Sequence, residues 1–416
     1  MSVDNSELLM LLGGKKSKST IGKAGQKGFG VGVYGGDPAD LTAMGLAPME
    51  GCENPSSDNY GNYIHTNGSV MVFIPAFCYR IGNTSAPSYS RDEECALEIR
   101  DASEGEGDGW VFHRAFIDGG VRKLGFFIDK YICSYAPNPI NAMVSVKNGD
   151  NVMLNDAVMT LTDISGTAVD AITLGRHRGE QYSCVTCFQW SAISMLSLAH
   201  GQATTSNQFC GWYDANHKTN YPKGNNNNGS LGDTDDPSVK WTAHGKVSYL
   251  GKTGSGSPFN KTTHNGQNCG VTDVNGSQHQ VVIGCQIPDK GIQLMKESVK
   301  AHAFTRWTRT DGSMYDHYYS DGYYFGYYLK WGYRSFHTGT SGFDWVMCGI
   351  LANNNSSLRN DLFGNDLVHT TGTSDNTLLV GGAYNREKEA GVWARFTGKW
   401  TLSREDYTFR ISGYAN

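Results

Sequence analysis

Two adjacent glycines, Gly381 and Gly382, stop an apolar run at Leu379-Val380, and the chain then builds a compact ending around them. Ala383-Tyr384-Asn385 follows, then a charged loop, then Ala390-Gly391-Val392-Trp393-Ala394-Arg395, and finally Phe409-Arg410-Ile411-Ser412-Gly413-Tyr414. Glycine supplies no side chain to bury and tolerates conformations closed to other residues. Arg410 is expected to pair internally.

Glycine and tyrosine shape the rest of the chain as well. There are 52 glycines and 22 tyrosines among 416 residues, and only 18% of residues are charged. Such a chain has many turns and few long helices. Tyrosine with serine, glycine and asparagine is also the chemistry of adaptable binding surfaces: a rigid amphipathic ring beside small hydrogen-bonding groups. The net charge of −5 gives no general attraction to nucleic acid or to an anionic membrane. No apolar run approaches the roughly eighteen residues that a membrane span needs. Leu8-Leu9-Met10-Leu11-Leu12 is too short, and lacks the basic lead, for a secretory signal. Synthesis in a cytosol is expected. With no secretory signal read, the ten scattered cysteines are expected to be mostly reduced and buried. Cys184-Val185-Thr186-Cys187 is a lone pair whose packing reading outweighs a zinc site.

Residues 1–67 read as a separate N-terminal segment for attachment or oligomerisation. Its Gly28-to-Gly36 run is laced with glycine and suits packing against another chain. A globular domain is expected from residue 68 to 416. Val70 to Pro75 and Gly125 to Tyr131 read as strands. Cys187 to Gly201 is the best helix, with Phe188, Ala192, Met195 and Ala199 on one face and Gly201 at a C-cap. Loop insertions are expected at about 206–268 and 286–376.

Five segments carry a family resemblance. Met71 to Pro75, Phe127-Ile128-Asp129-Lys130-Tyr131, Cys184 to Leu198, Gly270 to Gly276 and the C-terminal ending occur in the order of C-type-lectin folds of the formylglycine-generating-enzyme type. The same ending is similar to that of phage receptor-binding proteins, including tropism determinants diversified by retroelements. The resemblance implies an α+β, C-type-lectin-like domain with small antiparallel sheets, few helices and long loops. In that fold the backbone packs tightly around fixed positions, so the resemblance implies that Gly381, Gly382, Ala390, Gly391, Phe409 and Ile411 are framework while the residues between them vary and face a ligand. It further implies a virion protein of the tail fibre or baseplate, a host cell-surface receptor that is glycan or protein, a homotrimer, and contact with other tail proteins through the N-terminal segment.

The enzymatic members of this family use two accessible cysteines in the C-terminal half to hold copper. This chain has no cysteine after Cys348, and Gly381-Gly382-Ala383-Tyr384-Asn385-Arg386 replaces the motif. The related iron enzymes need a histidine pair on the helix, and only His200 lies near it. In the enzymes the turn at Gly270 to Gly276 also holds calcium, but Ser277-Gln278-His279-Gln280 lacks the acidic ligand. Asp233, Asp235 and Asp236 form a carboxylate cluster that reads as a solvated turn rather than a hydrolase pair. The reading is thus a protein without catalysis, cofactor or metal. A formylglycine-generating-type oxidase, a retroelement-diversified bacterial surface lectin and an assembly-only baseplate protein are the rivals.

Two stretches are candidate binding surfaces. The first is the C-terminal loop: Tyr384, Asn385, Arg386, Lys388, Trp393, Arg395, Phe396 and Trp400 mix rigid rings with cations, as interface hot spots do. The second is the tyrosine-dense stretch between Tyr315 and Tyr333, where Tyr323, Tyr324, Tyr327 and Tyr328 are the candidates. A twisted hairpin packed on the core is the competing reading of that stretch.

Overall fold

The computed structural model describes residues 19–81, 96–135, 143–154, 160–162, 168–214, 220–287, 292–304, 315–318, 332–336, 347, 351–357, 366–369, 376–399 and 406–415. They form an α+β structure of small, mostly antiparallel sheets with few helices.

The first sheet has six strands, in the order Leu46–Pro48, Asn62–His65, Val70–Pro75, Gly125–Asp129, Ile411–Gly413 and Tyr182–Cys184. Its centre holds the two strands expected from sequence, the second ending at Asp129 rather than Tyr131. Val70–Pro75 runs antiparallel to Gly125–Asp129, with Met71 opposite Asp129 and Pro75 opposite Gly125. Both strands are nearly continuous apolar runs, because both faces are covered. The second sheet is ordered Tyr315–Tyr318, Ile292–Met295, His279–Ile287, Asn376–Gly381, Gly391–Lys399 and Val368–His369, with Tyr407–Phe409 joined in parallel to His279–Ile287.

Arg410 is the single residue between Tyr407–Phe409 in the second sheet and Ile411–Gly413 in the first. Its guanidinium donates to Gln280 Oε1 at 2.6 Å and to the carbonyls of Asp129, Lys130, Thr272 and Asp273. A buried cation is tolerable only when its donors are matched in this way. The internal pairing expected of Arg410 is therefore made to carbonyls and an amide rather than to a carboxylate.

The long helix Cys187–Ala203 starts at Thr186, whose hydroxyl accepts from Gln189 N while the Gln189 side chain accepts from Thr186 N. It differs from the amphipathic helix expected. Every residue from Cys187 to Gln202 is buried, because strands of the second sheet, the strand Leu97–Asp101 and the turn Arg114–Phe116 surround it. Gly201 is no C-cap either: the helix runs on to Ala203, and Thr204 closes it by donating to His200 O.

The boundary expected at residue 67 is corrected. Residues 19–67 are part of the body, and Leu46–Pro48 and Asn62–His65 are the first two strands of the first sheet. Ile21, Phe29 and Val31 are fully buried in the common core. Gly32 N donates to Phe73 O, and a side chain at Gly32 would collide with Pro75. The glycine run thus packs against its own chain: the small residues admit the close approach while Phe29, Val31 and Val33 fill the core. Lys130 fastens the same segment from the other side. Its ammonium donates to Asn62 Oδ1 at 2.6 Å and Asn268 O at 2.7 Å, and burial pushes it down to about 8.

Candidate recognition surface

The C-terminal turn leaves the second sheet at Gly381 and re-enters it at Gly391. Ala383 and Ala390 are fully buried, whereas Asn385, Glu387 and Lys388 are exposed and Tyr384 and Arg386 half-buried. The framework beneath is tight. A Cβ on Gly382, whose φ is +75°, would stand 2.6 Å from Ala390 Cα. A Cβ on Gly391 would overlap the Asp366 carboxylate, which accepts from Trp393 N at 2.6 Å. Leu367 N donates to Glu389 O, and Arg395 N to Leu367 O, so the rear of the turn is clamped.

Four of the candidates are displayed there: Tyr384, Asn385, Arg386 and Lys388. Three others are corrected, since Trp393 is 0%, Arg395 1% and Phe396 3% exposed. They lie on the strand Gly391–Lys399, which is covered by the long helix rather than open to solvent. Trp190 Nε1 and Ser194 Oγ both donate to Val392 O; Arg395 donates to the same carbonyl, to Ala394 O and to Ser194 Oγ. Phe396 meets the His279 ring edge-on, with centroids 4.5 Å apart. These side chains build the frame and cannot touch an outside partner. Trp400, Tyr323, Tyr324, Tyr327 and Tyr328 lie outside the described residues. The strands on either side of that tyrosine stretch do not pair with each other: Tyr315–Tyr318 pairs with Ile292–Met295, and Gly332–Phe336 with Leu351–Ser357.

The turn does not stand alone. The 220–250 part of the first insertion packs beside it, and sequence reasoning did not join the two. Tyr249 and Tyr384 stack at a 32° tilt with centroids 4.5 Å apart. Glu387 N donates to Asn226 O at 2.9 Å, Tyr384 N to Ser277 O at 3.0 Å, and Lys388 Nζ lies 3.5 Å from Asp235 Oδ1. Arg386 reaches Glu389 at 3.9 Å and lies over the buried Phe396 ring.

The insertion has little regular secondary structure, but a buried polar network orders it. Asp233 accepts from Asn220 Nδ2 and from the amides of Gly224, Asp235 and Asp236. Burial pushes its carboxyl above the usual carboxylate range. Asn226 Nδ2 donates to Asn220 Oδ1 and Asn275 Oδ1; Asn275 Nδ2 donates to Asn220 Oδ1 and Pro222 O. The carboxylate cluster is therefore not one solvated turn. Asp233 organises the loop from inside, while Asp236 pairs with Lys261 at 2.6 Å and Asp235 faces Lys388.

Asp273, in the turn where the resembling enzymes hold calcium, spends its carboxylate on protein donors. Oδ1 accepts from Trp241 Nε1, and Oδ2 accepts from Thr253 Oγ1 and Gly254 N. Among the described residues no group of three or more His, Cys, Asp or Glu side chains is placed to hold a metal ion. No helix among them is long and apolar enough to cross a membrane. The eight described cysteines are buried free thiols. Burial pushes Cys78 up to about 12, and Cys133 and Cys210 well above the ordinary thiol value.

No protein-family model matches the chain, and no curated protein matches it either.

Proposed function

We propose that this protein is a non-catalytic receptor-binding protein with a C-type-lectin-like domain, carried at a phage tail-fibre tip or baseplate and contacting the host cell surface. The observation that carries the reading is the contrast within one short turn. Gly382 and Gly391 leave no room for a side chain and Ala390 is fully buried, while between them Asn385 and Lys388 are exposed and Tyr384 and Arg386 half-exposed. A frame that fixes its ends and frees its middle can exchange recognition residues without refolding.

The burial of the described thiols supports the non-catalytic reading over the oxidase. A thiol held above its ordinary pKa supplies little thiolate to bind copper or attack a substrate. A homotrimer would multiply weak single-site contacts. Contact with other tail or baseplate proteins falls to the N-terminal segment.

The test is binding of purified protein to a panel of intact bacterial cells, comparing the parent with a Tyr384→Ala, Arg386→Ala, Lys388→Ala triple variant of matched circular dichroism. Binding by the parent and at least tenfold weaker binding by the variant is expected. Equal binding by the two would remove the turn as the recognition site. Copper-dependent oxidation of a cysteine peptide would replace the reading with the oxidase.

A further inference from the structure

We infer that the recognition face is composite, with the Asn227-to-Tyr249 part of the insertion forming its second half, and that it takes a neutral, hydroxyl-rich ligand: an uncharged saccharide of the cell surface. The inference rests on the function proposed above and deepens it.

Contact between the two halves is direct. The Tyr249 ring lies against Tyr384, and a Cβ on Gly229 would stand 3.1 Å from Tyr249 Cβ, so the Asn227–Ser230 turn backs that ring. The hydrogen bond from Glu387 N to Asn226 O fixes the height of one turn against the other. Both rings are half-buried, and Asn228, Ser230, Ser248 and Asn385 around them are exposed. Two tilted rings offer C–H stacking surface, and the surrounding amides and hydroxyls can bond the rim of a sugar.

The charges favour the same class. Among the described residues, the C-terminal turn and the Asp235 that faces it hold two cations, Arg386 and Lys388, and three carboxylates, Asp235, Glu387 and Glu389. Both cations sit beside carboxylates, Arg386 by Glu389 and Lys388 by Asp235. The sum, two minus three, is −1, which disfavours phosphate, sulfate and sialate ligands. The exposed polar groups next to the two rings, Asn228, Ser230, Ser248 and Asn385, are uncharged amides and hydroxyls.

The experiment uses the full chain on an array of neutral, sialylated and sulfated glycans, and on cells treated with periodate. The variants are Tyr249→Ala, Tyr249→Phe and Tyr384→Ala, each checked for an unchanged melting profile. Binding to neutral glycans and loss of cell binding after periodate are expected. So is a roughly tenfold loss on Tyr249→Ala, since an aromatic contact of this kind is worth about that factor. A changed pattern of bound glycans in Tyr249→Phe, which keeps the stack but loses the hydroxyl, separates direct contact from mere support of Tyr384. If Tyr384→Ala weakens binding while both Tyr249 variants bind as the parent does, the composite face is overturned and the proposed function stands. Binding that survives periodate, or is confined to anionic glycans, overturns the saccharide class. Binding unaffected by all three variants overturns the underlying reading as well.

Discussion

Arg178 grips Asp129 with both terminal nitrogens: Nη1 donates to Oδ1 in a very short contact, and Nη2 donates to Oδ2 at 3.2 Å, with both side chains at most 1% exposed. Asp129 Oδ2 also accepts from Ile411 N at 3.1 Å, and Arg178 Nη2 donates to Met143 O. One ion pair thus joins the central strand Gly125–Asp129, the C-terminal strand and the chain entering Tyr182–Cys184. Removing one partner strands a buried charge, which costs about 3–5 kcal/mol. Asp129→Asn should lower the unfolding free energy by that amount in urea titration. A loss below about 1 kcal/mol would show that the pair is not a structural tie.

Trp393 and Tyr384 lie on the same C-terminal block, yet their truncations should differ in kind. Trp393→Ala empties a fully buried site and should cost about 3–5 kcal/mol. Tyr384→Ala removes a half-buried ring stacked on Tyr249 and should cost about 0.5–1.5 kcal/mol. Chemical denaturation of the two variants separates framework from display. Equal losses would mean that the turn, too, is part of the core.

How far the sequence could be read follows from the range of each signal. The strands Val70–Pro75 and Gly125–Asp129 and a helix starting at Cys187 were legible, because apolar runs are local signals, whereas the pairing of the two strands was not. The exposure of Trp393, Arg395 and Phe396 was not. Rings beside a cation look alike on an interface and in a core, and only the packing of the helix on Gly391–Lys399 decides. The glycine run at Gly28–Gly36 misled for the same reason, since its partners, Phe73 and Pro75, come later in the chain. Tyr249 carried no signal: its tie to Tyr384 depends on a loop ordered by Asp233, Asn226 and Asn275, and buried polar networks have no sequence period.

Acid should weaken the fold through its buried imidazoles. Burial pushes His200 down to about 4, and His264 and His113 down to about 3. His200 accepts from Gly25 N through Nδ1 and meets Phe209 O through Nε2, so its neutral ring is already engaged at both nitrogens. With folded values below the ordinary 6.5, the unfolded chain binds more protons in the interval between. Stability is therefore full above about 6.5 and falls as pH drops toward 4, by at most about 1.4 kcal/mol per unit for each group. Unfolding free energies measured between pH 7 and 4 should fall along this slope, and His264→Gln should make it shallower. A flat profile would show that these rings do not titrate with folding.

Gly382 and Gly391 should be the least replaceable positions of the C-terminal turn. At Gly382 the backbone φ of +75° strains any side chain, and a methyl group would press on Ala390 Cα. At Gly391 a methyl group would overlap Asp366, whose carboxylate holds Trp393 N. Either alanine must push the two legs of the turn apart, and the contacts of Tyr384 with Tyr249 and of Glu387 N with Asn226 O would open with them. A positive-φ or overpacked substitution costs about 1–3 kcal/mol. Gly382→Ala and Gly391→Ala should therefore lower the melting temperature and weaken cell binding together. Asn385→Ala, between them on the exposed crest, should leave melting unchanged whatever it does to binding. Parallel thermal melts and binding curves check this. An unchanged melting temperature in Gly391→Ala would mean that Asp366 yields freely, and that the clamp behind the turn is looser than its geometry implies.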